Sequence, residues 1–70
     1  KFMFVSFKGV IDSISEDKIL SFVNRPGGYH MPEQPEDVLE CLKHAFHNGH
    51  TVEVTYDNQN YVIQDARPAQ

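Results

Sequence analysis

Between Pro35 and Gly49 the chain offers one amphipathic helix, and every other ordered-looking stretch reads as strand. Proline suits a first helical turn, and Glu36 and Asp37 complement the positive end of the dipole. Val38, Leu39, Leu42, Ala45 and Phe46 then form one apolar stripe, and Asn48-Gly49 stops the run. A helix is expected over about 35–48. A lone helix covers one face of a sheet, so the strands must curl or close to hide the other face and their edges. The sequence has 70 residues and is read as a single domain, 1–70. Chains of this size bury about 60% of their unfolded surface, which leaves little core to spare.

Phe2 to Ile14 reads as one long strand. Met3, Val5 and Phe7 share one parity and Val10, Asp12 and Ile14 the other, so a β-bulge is expected at Gly9. Ser15 to Lys18 is a polar turn, and Ile19 to Asn24 pairs back as a hairpin. Arg25-Pro26-Gly27-Gly28 breaks that run, and residues 25–34 read as loop. Thr51 to Tyr56 alternates apolar and polar, Asp57 to Asn60 is a turn, Tyr61 to Ala66 returns, and residues 67–70 are a tail. The fold class is α+β. A small OB-like β-barrel satisfies the order, with a long bent first strand and one helix before a C-terminal hairpin. An open ββαββ sheet is the alternative. The barrel needs a fifth strand, which the region of Tyr29 could add, unless the long first strand counts twice.

From the helix through Gly49 into Thr51–Tyr56 and Tyr61-Val62-Ile63, the chain resembles the OB-fold B subunits of pertussis- and subtilase-type AB5 toxins. The likeness covers roughly the second half of the chain. It implies a ring-forming, glycan-binding protein and assigns no functional residue here. This chain is shorter than those subunits and lacks their disulfide cysteines.

Ten acidic residues against six Lys and Arg give a net charge of −4, and the bases are scattered singly. Nucleic-acid binding requires phosphate neutralisation by clustered cations, so a nucleic acid is a disfavoured partner, as is an anionic membrane surface. No apolar run reaches membrane-spanning length. Cys41 is the single cysteine, which favours a reducing cytoplasm. The start at Lys1 admits export after cleavage, so compartment stays open.

Cys41, His44, His47 and His50 place a ligand-type residue at every third position. At about 100° per residue the helix cannot gather all four. Cys41 with His44, or His44 with His47, could share a metal whose other ligands come from elsewhere; a solvated helix face is the simpler expectation. No metal and no cofactor are expected. His, Asp and Glu are so plentiful that a nucleophilic triad can always be drawn, which removes its meaning. Enzymatic activity is not expected.

Recognition is the better-supported theme. Residues 25–31, RPGGYHM, form a Pro-Gly-Gly frame carrying Arg25, Tyr29 and His30, residue types common at interfaces. A plain connection with Tyr29 folded back on the core is the rival reading. Tyr56 and Tyr61 flank one turn, either as a cross-strand pair or as stacking surfaces. Phe2 and Phe4 add aromatic surface, and Met3-Phe4-Val5 is apolar on both faces, which suggests cover by another subunit. The expected function is a non-catalytic binding module, oligomeric, recognising a protein or glycan through Arg25, Tyr29, His30, Tyr56 and Tyr61. A single-stranded nucleic-acid binder and a metal protein using Cys41, His44 and His47 are the alternatives.

Overall fold

The helix has the ends its sequence asks for. In the computed structural model, which describes residues 3–69, α1 runs from Glu36 to Asn48. Its acids Glu36 and Asp37 occupy the first turn, and Val38, Leu42 and Ala45 are buried. Gly49 closes it with φ +66°, a left-handed backbone that glycine adopts without a Cβ penalty. The N–H of His50 then donates to Ala45 O at 3.0 Å, and that of Gly49 to Phe46 O at 3.4 Å.

Around α1 lie five strands: β1 (Phe4–Ile14), β2 (Ile19–Phe22), β3 (Arg25–His30), β4 (Thr51–Asp57) and β5 (Ile63–Pro68). They form one antiparallel sheet in the order β3-β2-β1-β4-β5. The class is α+β. β1 serves both sides, with residues 4–10 paired to β4 and Ile11–Ile14 paired to β2.

The bulge lies elsewhere than expected. The register slips between Ile11 and Ser13, while Gly9 pairs regularly with Val52. Gly9 serves packing instead: a Cβ there would stand 3.3 Å from the Phe22 ring. Inward positions are therefore Val5, Phe7, Gly9 and Ile11, then Ile14 beyond the slip.

Residues 25–30, read as loop, are the fifth strand. Leu20 faces Tyr29 and Ile19 faces His30, and the register shift towards Phe22–Arg25 absorbs the extra residues at Pro26-Gly27-Gly28. A proline and a bulge are tolerated because β3 is an edge of the sheet. Gly28 is held by contact, since a Cβ there would lie 2.6 Å from Ile19 Cγ2. The C-terminal strand also shifts: Tyr61 precedes it, and Arg67 and Pro68 belong to it, opposite Glu53 and Val52. Of the aromatic residues named from sequence, Phe2 lies outside the described residues.

The sheet curls. His30 forms a single parallel bridge with Val62, and its N–H donates to Tyr61 O at 2.7 Å, so β3 meets the approach to β5. The fully buried side chains Leu20, Leu42, Val52, Val54 and Ile63 fill the interior, where α1 packs on β5, β1 and β4. Beside them lies an aromatic cluster with no helix residue in it.

Candidate functional site

Each strand contributes one aromatic ring to that cluster, or, for β5, the residue two before it. Phe7 comes from β1, Phe22 from β2, Tyr29 from β3, Tyr56 from β4, and Tyr61 from the turn into β5. Phe7 and Phe22 meet edge-on at 4.9 Å between centroids, as do Tyr29 and Tyr56. Tyr61 sits 5.7 Å from Tyr29 and 5.4 Å from Tyr56. Such pairs contribute about 0.5–1.5 kcal/mol each beyond the area they bury.

Arg25 lies on this cluster. Its Cζ is 3.7 Å from the centre of the Phe7 ring, a cation–π contact, and its Nε–H donates to the Tyr29 hydroxyl at 2.8 Å. The Tyr29 hydrogen bond, with a smaller contribution from the Tyr56 hydroxyl, raises the pKa of Arg25 above its ordinary value despite burial. The guanidinium is thus half-buried, permanently charged and held in one orientation. The one ion pair found among the described residues, Arg67–Asp65, is elsewhere and exposed.

Tyr61 is the exposed ring of the group, at 43% against 3% for Tyr29 and 7% for Tyr56. Its backbone has φ +61°, a conformation that costs a residue with a side chain about 1–2 kcal/mol. The turn holds it there. Tyr61 N–H donates to Asp57 O at 2.7 Å, Val62 N–H to Asn60 Oδ1 at 3.0 Å, and Tyr61 O receives His30 N–H. Together Arg25, Pro26, Gly27, Tyr29, Tyr56, Tyr61 and Asn24 line an open groove of about 540 Å³, within the usual range for ligand sites.

Four of the five residues singled out from sequence therefore meet: Arg25, Tyr29, Tyr56 and Tyr61. Tyr29 follows the reading that folds it back on the core, where it offers its hydroxyl. The cross-strand pairing of Tyr56 with Tyr61 does not form, and Tyr56 opposes Ile63 instead. His30 points away and lines a separate depression with Lys18, Met31 and Glu33. Pro26, part of the Pro-Gly-Gly frame, lies on the rim, whereas Phe7, the floor under Arg25, and Asn24 carried no local signal in the sequence.

The histidine series also rearranges. The turn after α1 folds His50 back towards His44, with ring centroids 5.7 Å apart, whereas His47 lies against Phe46. Cys41, His44 and His50 line a small apolar depression of about 280 Å³ near Pro68. Among the described residues no group of three or more His, Cys, Asp or Glu side chains could hold a metal ion. Burial first, and then Asp65 and Asp37, push the Cys41 thiol above its ordinary pKa. That disfavours the thiolate a nucleophile needs.

Comparison of the chain with protein-family models, with curated proteins and with solved structures yields no match. No helix among the described residues is long and apolar enough to cross a membrane.

Proposed function

We propose that this domain is a non-catalytic recognition module that binds a protein or a glycan at the groove of Arg25, Tyr29, Tyr56 and Tyr61. One observation carries the reading: a charged, oriented guanidinium and a ring held on a strained backbone converge on one open groove. Strain of that kind persists where the surroundings over-determine it, and it clusters at functional positions. The raised Cys41 thiol supports binding over nucleophilic chemistry.

The curled sheet is read as an OB-like barrel. The His30–Val62 bridge and the ring contacts between β3 and β4 support this, as does the position of α1 before the last two strands. The likeness to AB5 toxin B subunits belongs to the same proposal, and so does self-association. The last is supported by a thin core and by Met3 and Phe4, each 56% exposed.

The test is binding of the labelled domain to immobilised peptide and glycan arrays, compared with Tyr61→Gly and Arg25→Gln. Both substitutions are expected to abolish the signals that the unaltered domain gives. Signals that survive both would show that the contact surface lies elsewhere.

A further inference from the structure

We infer that the Arg25 guanidinium is a receptor for a carboxylate of a protein segment, an Asp or Glu side chain or a chain terminus. The inference rests on the groove being the contact surface and names the chemistry of what enters it.

A guanidinium offers a planar anion two edges, one side-on through Nε and one end-on through its two terminal nitrogens. Tyr29 takes Nε–H and the Tyr56 hydroxyl also bonds the group, so the terminal N–H groups that remain are the ones open to a carboxylate. Phe7 fixes the plane of the group at 3.7 Å, which removes much of the ordering cost that a free arginine meets on binding. The charge around the groove is selective. The chain carries ten carboxylates, yet none of the residues lining this groove is acidic and Arg25 is its one cation. The net charge of −4 opposes an acidic ligand at long range, where salt screens it beyond roughly 8 Å, and the lining of the groove itself adds no carboxylate to repel one. A single cation suits one carboxylate better than a phosphate backbone, whose affinity grows with the number of charges neutralised. A protein segment is favoured over a sugar acid because Tyr29 and Tyr56 bury their rings on one another. What remains beside the fork is Tyr61 and Pro26, a wall for the methylene stem of a side chain.

The experiment is an NMR titration of the isotope-labelled domain, following the Arg25 Nε–H and the Tyr61 backbone signals. The probes are acetyl-Gly-Phe-Glu-Gly-amide, the same peptide with Gln for Glu, the Gln peptide ending in a free carboxylate, and glucuronate. At least one carboxylate peptide is expected to bind about tenfold or more tightly than the blocked Gln peptide, the value of a hydrogen bond to a charged group. Which of the two does so tells side chain from terminus. Arg25→Lys, which keeps the charge but not the planar fork, is expected to lose that preference while its spectrum stays folded. Equal binding of all three peptides at the groove would overturn the carboxylate assignment and leave the groove as contact surface. Tighter binding of glucuronate than of either carboxylate peptide would overturn the protein partner. Shifts confined to other surfaces would overturn the groove itself, and the carboxylate assignment with it.

Discussion

Tyr61 combines two opposing terms at one residue. Its ring gains contacts with Tyr29 and Tyr56, and its backbone pays for φ +61°. In Tyr61→Gly a backbone cost of about 1–2 kcal/mol is relieved and two ring contacts of about 0.5–1.5 kcal/mol each are lost. The two largely offset, so stability measured by urea unfolding is expected to fall by no more than about 2 kcal/mol. A ligand-binding defect in that variant would then be a defect of the groove and not of folding. Gly28 makes the contrasting case. A Cβ at 2.6 Å from Ile19 Cγ2 has to displace the stiff, half-buried side chain of Ile19, so Gly28→Ala is expected to lower stability by about 1–3 kcal/mol. An unchanged urea midpoint would mean that β3 does not lie against β2 as described.

At the scale of elements, legibility in the sequence follows the range of the forces involved. α1 is visible because its signals are local: acids in the first turn, a stripe at helical spacing, Gly49 at the end. β4 is visible for the same reason, as Val52, Val54 and Tyr56 alternate with polar residues and all three are buried. β3 is only hinted at, because Tyr29 is the one strand-favouring residue in Arg-Pro-Gly-Gly-Tyr-His. Its partners are Ile19, Leu20 and Phe22 on one side and Val62, more than thirty positions away, on the other. The site divides in the same way. Arg25 and Tyr29 are suggestive as residue types, whereas Phe7 beneath Arg25 is a contact across eighteen positions that no window of sequence contains. The helix also carries a pH prediction. Because the folded-state pKa of Cys41 is raised, the folded protein holds the thiol proton more tightly than the unfolded chain does. Its contribution is fully present below the ordinary thiol value, about 8.5, and is lost as pH rises above it. Cys41→Ala is expected to flatten the fall of melting temperature on the alkaline side. An identical fall in both proteins would contradict burial of the thiol.

The whole molecule rests on a small interior. Chains of this size rarely hold more than about 3–5 kcal/mol of net stability, and truncating a fully buried leucine removes about 2–5 kcal/mol. Leu42 is completely buried, so Leu42→Ala is expected to leave the domain largely unfolded at room temperature by circular dichroism. Self-association would relieve that margin. Sedimentation equilibrium is expected to give a mass above the 8.0 kDa of one chain, and a monomer at high concentration would remove self-association from the proposal. The five-ring cluster has a further consequence, for time rather than energy. It joins Phe7 to Tyr56 and Tyr29 to Tyr61, and β1 pairs with β4 from Phe4↔Asp57 to Val10↔Thr51. The nucleus of such a topology has to close loops of about 40 to 50 residues before those contacts reward it. Folding is expected to be slower than the microseconds of helical chains this short, because strand pairings distant in sequence dominate the sheet. During synthesis the interior stays unsatisfied until the final hairpin has left the ribosome.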